Sequence, residues 1–171
     1  MISMAVFMRS SLFLILIKQS FYGILNDIRI KKEVIHKMKK GIKVVGAIIL
    51  RDGKILCCQR GPGRALENLW EFPGGKIEDN ETKIQALERE IKEELKIEVS
   101  IVEEEYDFCR YEYDFGFVNL TTFICHLKSG EPQLTEHLQA KWLLPNQLDE
   151  INWAPADIQA VKKLMTIPIG G

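Results

Sequence analysis

The sequence has no apolar stretch long enough to cross a bilayer. The run at 12–17 is six residues, against the roughly 20 that a spanning helix needs. No small-x-small cleavage site follows it, because Lys18-Gln19-Ser20-Phe21 stands there, and no clear amphipathic moment marks an interfacial anchor. An excess of one charge is also missing. Twenty-three Lys and Arg against 24 Asp and Glu leave a net charge of −1, which excludes a generally basic nucleic-acid binder. Cys57, Cys58, Cys109 and Cys125 contain no C-x-x-C pairing. Cys57 and Cys58 would face opposite sides of a strand, and free thiols in a reducing cytosol are the economical reading. Internal repeats and low-complexity segments are lacking too. These absences leave a cytoplasmic protein with no membrane partner and no stable nucleic-acid binding. With 171 residues, 46% of them hydrophobic, the chain suits one domain with a substantial core.

The first 37 residues differ in character from the rest. Met38-Lys39-Lys40 reads as a natural start just before the first strand. Lys32-Glu33-Val34 can be encoded by AAGGAGGTG, which resembles a bacterial ribosome-binding site. The expectation is therefore an apolar extension at 1–37, an untranslated leader or a disordered tail, ahead of a domain at 38–171. His36 falls within this extension.

Strand patterns occupy 44–50 and 54–59, and Asp52-Gly53 between them is a hairpin signal. Arg60-Gly61-Pro62-Gly63-Arg64 follows as a positively charged loop. Leu69-Trp70-Glu71-Phe72-Pro73 is extended and leads into Gly74-Gly75, where backbone can approach a ligand closely. Further strands are expected at 97–102, 105–113, 117–127 and 139–144, with a turn at Asp114-Phe115-Gly116 and a helical turn at 146–150. Pro155 suits the first position of a last helix, whose apolar face would be Ile158, Val161, Leu164 and Met165.

Between these strands lies the most informative segment. Thr82 and Gln85 form a capping-box pattern, so a helix should start at Lys83. Ile84, Leu87, Ile91 and Leu95 recur at helical spacing, and Glu90, Glu93 and Glu94 fan over a neighbouring sector at about 100° per residue. Like charges at this spacing weaken a helix by a few tenths of a kcal/mol per pair. A hard divalent cation would offset that cost, since Mg²⁺ takes oxygen ligands and shares them with substrate phosphates. A solvated acidic face is the plainer alternative.

Gly75, Glu81, Arg89-Glu90-Ile91 and Glu93-Glu94 stand at the spacing of the Nudix hydrolase signature, which this segment resembles. One position departs, since Lys96 occupies the place of a glycine. The exit from the helix then needs a left-handed Lys96 or another route. The resemblance implies an α+β fold, an α/β/α sandwich with a mixed central sheet and the acidic catalytic helix on one face. It implies Mg²⁺, with Mn²⁺ as a substitute, held by Glu90, Glu93, Glu94 and the Gly75 carbonyl. Arg89 would orient one of these glutamates, and Glu81 would pair with Arg89 or accept from backbone. Glu136 is a candidate base or ligand, while His137 is structural and His126 alternates with core positions.

Trp70-Glu71-Phe72-Pro73-Gly74-Gly75-Lys76 resembles the MutT-like branch, which splits nucleoside triphosphates into monophosphate and pyrophosphate. Arg60 would meet the triphosphate, and Phe72 and Asp157 would lie against the base. An ionised Asp157 only accepts hydrogen bonds, which suits a cytosine amine or the N1–H and amine of guanine. The resemblance thus implies an 8-oxo-dGTP diphosphatase acting in nucleotide-pool sanitisation, as a monomer or homodimer. The Ala154-Pro155-Ala156-Asp157 form points instead to cytidine triphosphates. A nucleotide-sugar or dinucleoside-polyphosphate hydrolase lacks any additional motif here. A non-catalytic nucleotide sensor would usually have lost the acidic set.

Overall fold

The computed structural model describes residues 41–166. The readings for 1–37 and for a start at Met38 lie outside the described residues. The fold is a seven-stranded mixed sheet with a helix on each face. In chain order the elements are β1 (Gly41–Arg51), β2 (Lys54–Arg60), β3 (Trp70–Glu71), β4 (Gly74–Lys76), α1 (Lys83–Leu95), β5 (Glu98–Tyr113), β6 (Gly116–Ser129) and β7 (His137–Leu143). A 3-10 turn (Pro145–Glu150) and helix α2 (Ile158–Thr166) complete it.

β1 is the axis of the sheet. It runs parallel to β6 from Gly41 to Leu50 and antiparallel to β2 and β4. β2 in turn carries β3 and β7, and β5 closes the far edge against β6. Val45 to Ile49 are all buried, as a strand covered on both faces requires. Alternation sorts them: Val45, Ala47 and Ile49 pack with Leu87, Ile91 and Leu95 of α1, and Ile48 packs with Ala160, Val161 and Leu164 of α2. Cys58 goes to the first cluster and Cys57 to the second, as expected for neighbours in a strand. The α/β/α sandwich expected above is therefore the observed architecture.

Helix α1 begins where its caps dictate. Gln85 N–H donates to Thr82 Oγ1 at 3.2 Å and Thr82 N–H to Gln85 Oε1 at 2.9 Å. Such a cap contributes about 1 kcal/mol, whereas burial of Leu87, Ile91 and Leu95 contributes roughly 1.5–3 kcal/mol for each side chain. Packing therefore outweighs both the cap and the repulsion among the glutamates. The helix ends on Lys96 with φ 56° and ψ 31°, the left-handed exit that the missing glycine forces on a lysine.

Three expectations are corrected. The strands expected at 97–102 and 105–113 are one strand, β5, whose register shifts between Ile101 and Asp107. It lies at the sheet edge, where Glu103 and Glu104 can face water without ending the pairing. Helix α2 begins at Ile158 and not at Pro155: Val161 N–H donates to the Asp157 carbonyl at 3.0 Å, placing Asp157 at the cap. Its buried face is Ala160, Val161 and Leu164, while Ile158 and Met165 are exposed.

Candidate active site

Arg89 gathers the acidic segment. Its Nε and Nη2 donate to the two Glu81 oxygens at 2.6 and 2.9 Å, and Nη1 donates to Glu90 Oε1 at 2.9 Å. Nη2 also reaches the Lys76 carbonyl at 3.1 Å, and Glu93 Oε2 lies 3.5 Å from Nη1. One guanidinium thus ties the loop before the helix to the helix itself. Glu81 also accepts from Glu78 N–H at 3.0 Å, and with Arg89 beside it its carboxyl is held down at about 2.

The glycines of β4 let the sheet meet this helix. A Cβ on Gly74, where φ is +151°, would lie 2.2 Å from the Val45 carbonyl oxygen. A Cβ on Gly75 would lie 2.3 Å from the Glu90 carboxyl carbon. Glu94 points inward, only 7% exposed. Burial pushes its carboxyl up to about 7, with the charges of Glu90, Glu71 and Glu136 adding and His137 opposing. Glu94 Oε2 is buried without a hydrogen-bond partner, which in a protein interior is an expensive state. Glu93 stays largely exposed.

Glu90 and Glu94 line a cavity of about 580 Å³ that extends to Phe72, Tyr113, Phe115 and Asp157. The far end is assembled by β3 and the segment before α2. Trp70 N–H donates to the Asn152 carbonyl at 2.9 Å and Ala154 N–H to the Trp70 carbonyl at 2.7 Å. Phe72 packs on Trp153 with ring centroids 4.8 Å apart. Phe72 N–H then donates to Asp157 Oδ1 at 3.1 Å. Burial, reinforced by the Glu71 charge, pushes the Asp157 carboxyl well above the usual range. Asp157 thus sits at the far end of the cavity as an acceptor for the Phe72 N–H, with its carboxyl pKa raised by burial. Tyr113 closes the wall, its hydroxyl accepting from Ala156 N–H at 3.0 Å and its ring stacked on Phe115 at 4.9 Å.

Arg60 and Glu136 also line the cavity. Arg60 pairs with Glu71, and its Nε donates to the Ala65 carbonyl at 2.9 Å. Glu136 pairs with Arg64 at 2.5 Å, and this partner holds its carboxyl below the ordinary value. His137 is enclosed at 3.3 Å from Glu71, in keeping with a structural residue.

Residues 41–164 match the NUDIX domain. The chain belongs to the NUDIX family. The CTP pyrophosphohydrolase of Escherichia coli K12 is 39% identical over 128 residues, covering 75% of this chain and 94% of that protein. The 8-oxo-dGTP diphosphatase of Haemophilus influenzae Rd is 33% identical over 128 residues, with 74% and 93% covered. The solution structure of DNA mismatch repair protein MutT, a Nudix hydrolase from methicillin-resistant Staphylococcus aureus 252, shares 54% identity at a TM-score of 0.64. It covers 75% of this chain and 98% of that one.

Among the described residues no group of three or more His, Cys, Asp or Glu is gathered as a metal site, and Glu90 and Glu93 lie against Arg89. The donor set fits nonetheless: it is all oxygen, which suits Mg²⁺. Glu94 supplies a buried oxygen in need of a partner, and Gly75 leaves the Glu90 carboxyl room against β4. In this NUDIX chain the residues that sequence reasoning missed are Glu71, Tyr113 and Phe115. The alternation of Tyr111, Tyr113 and Phe115 was a legible signal for the aromatic wall. Glu71 had none, since its partners Arg60 and His137 come from other strands. Among the described residues no helix is long and apolar enough to cross a membrane.

Proposed function

We propose that this NUDIX chain hydrolyses nucleoside triphosphates to monophosphate and pyrophosphate, clearing oxidised dGTP from the cytoplasmic nucleotide pool. The observation that carries the proposal is the shared cavity, lined by Glu90 and Glu94 at one end and by Phe72, Tyr113 and Asp157 at the other. A polyphosphate and a base at opposite ends of one nucleotide match that division. Its volume is also within the usual range for a small-molecule site.

In this reading Glu90, Glu93, Glu94 and the Gly75 carbonyl would hold Mg²⁺, or Mn²⁺ in its place. The ion would neutralise polyphosphate charge and lower the pKa of a bound water. Arg89 ties Glu90 to Glu81 and to the Lys76 carbonyl, which holds the 76–81 loop against the helix. Arg60 presents positive charge to the phosphates while anchored on Glu71. Glu136 receives a proton or serves as a further oxygen ligand. Phe72 and the Tyr113–Phe115 pair provide apolar surface for the base, and the Asp157 carboxyl reads its edge. The catalytic unit is the domain at 38–171, acting as a monomer or homodimer, and residues 1–37 stand outside it.

A second substrate, CTP or dCTP, is supported by a specific observation. The E. coli CTP pyrophosphohydrolase is 39% identical to this chain, and the Asp157 carboxyl can accept from the cytosine amine. A panel of 8-oxo-dGTP, dGTP, dCTP and CTP with Mg²⁺, resolved into released pyrophosphate and phosphate, tests both. Pyrophosphate with monophosphate is the expected product. Stepwise release of inorganic phosphate, or no turnover of any of the four, would overturn the proposal.

A further inference from the structure

Two arginines reach the carboxylate end of the cavity, and they are held differently. Arg60 is committed: its guanidinium pairs with Glu71 and with the Ala65 carbonyl, and its side chain is 24% exposed. Arg64 pairs with Glu136, and both side chains are nearly half exposed at 48% and 43%. Both also line the cavity beside Glu90 and Glu94. Exposed ion pairs of this kind contribute little to stability. A guanidinium bound in two-pronged fashion to a phosphate is a stronger, charge-assisted contact.

The two partners are not equally movable. The Glu136 backbone is tied to α1 through its neighbour Thr135 and packs closely against Gly61. Thr135 N–H donates to the Glu94 carbonyl at 3.2 Å, and its hydroxyl reaches the Glu94 and Glu93 carbonyls at 3.0 and 3.2 Å. On the other side a Cβ at Gly61 would lie 3.0 Å from the Glu136 carbonyl oxygen. Glu136 is thereby seated under the last turn of α1, beside the carboxylates. Arg64 projects from the loop between β2 and β3, with Gly63 N–H bound to Glu67 at 2.9 Å. The long arginine side chain is the part free to exchange partners.

Resting on the nucleotide reading above, we propose that Arg64 is a polyphosphate-binding residue. It gives up Glu136 for a phosphate of the incoming triphosphate, and the substrate thereby frees the Glu136 carboxylate within the site. The pair is a latch opened by the ligand that needs it open. In the free protein Arg64 also offsets the negative charge of Glu136, Glu94 and Glu71, which would otherwise oppose an anionic ligand.

The latch predicts a coupling that a plain surface pair would not show. Binding of a non-hydrolysable nucleoside triphosphate in Mg²⁺ is measured by calorimetry on the full chain and on Arg64→Ala, Arg64→Lys, Glu136→Gln and the double variant Arg64→Ala/Glu136→Gln. Arg64→Ala should weaken binding by about tenfold, the loss of one charge-assisted contact, and Arg64→Lys should recover part of it. Glu136→Gln should tighten binding several-fold by removing the competitor, and this gain should vanish in the Arg64→Ala background. Wild-type affinity in Arg64→Ala, or an equal Glu136→Gln effect in both backgrounds, would overturn the latch. Turnover of triphosphates by the wild-type chain is scored separately: its absence refutes the nucleotide reading, while turnover with an unchanged Arg64→Ala affinity refutes the latch alone.

Discussion

Glu94 and Asp157 line the same cavity, and burial raises the carboxyl pKa of both. Their surroundings differ. Asp157 accepts a backbone N–H from Phe72 and has the Arg60 charge within reach. Glu94 has one oxygen without a partner, and the carboxylates facing it, Glu90, Glu71 and Glu136, share its sign. His137 is the neighbour that relieves it. The Asp157 end of the cavity is thus satisfied by the chain's own groups, whereas the Glu94 end keeps a buried oxygen without a partner. Buried polar groups without partners are few in native proteins.

Substituting each carboxyl by its amide separates the two ends. Glu94→Gln, and Glu93→Gln beside it, should lower turnover by about 100-fold or more, equivalent to roughly 2.7 kcal/mol in the barrier, with the circular dichroism of the fold unchanged. Near-normal turnover would show that this helix does not carry the chemistry.

Asp157→Asn should change stability as well as the choice of base. The folded pKa of Asp157 lies above its unfolded value of about 3.9. The folded state therefore loses stability as pH rises from about 4 toward that raised pKa. Asparagine keeps the acceptor for Phe72 N–H without the charge. The melting temperature of the variant should match wild type near pH 4 and exceed it at higher pH. A constant difference across this range would place the pH dependence elsewhere.

The smallest expected effect lies outside the cavity. Lys96→Gly relieves a left-handed lysine and should stabilise the protein by about 1 kcal/mol, or about 4 °C in Tm. No change would mean that the unfolded-state entropy of glycine offsets the strain.

The comparison between the two ends also explains what the chain disclosed before folding. The carboxylate end depends on spacing along one helix, so the Thr82–Gln85 cap, the Ile84–Leu95 stripe and the shared sector of the three glutamates were legible from capping and periodicity, while the roles of Arg89 and of those glutamates came from the resemblance to the Nudix signature. The Asp52-Gly53 hairpin and the opposed Cys57 and Cys58 were legible for the same local reason. The base end joins β3, the β5–β6 hairpin and the cap of α2, which are distant in the chain. Asp157 could be named from its motif, but the upward shift of its carboxyl pKa comes from burial by segments that no local pattern positions. The Arg64–Glu136 and Glu71–His137 pairs cross between strands and left no signal. β5 was misread as two strands because the Glu103-Glu104-Glu105 run suggests a loop, whereas its place at the sheet edge tolerates those charges.

The central claim is that the α1 carboxylates grip a divalent cation against a polyphosphate. Anomalous diffraction from crystals grown with Mn²⁺ and a non-hydrolysable nucleoside triphosphate tests it most directly. A manganese peak within coordination distance of Glu90, Glu93 and Glu94, with phosphate oxygens on its open side, is the predicted result. A bound nucleotide with no peak at that helix, and with Glu94 still lacking a partner, would contradict it.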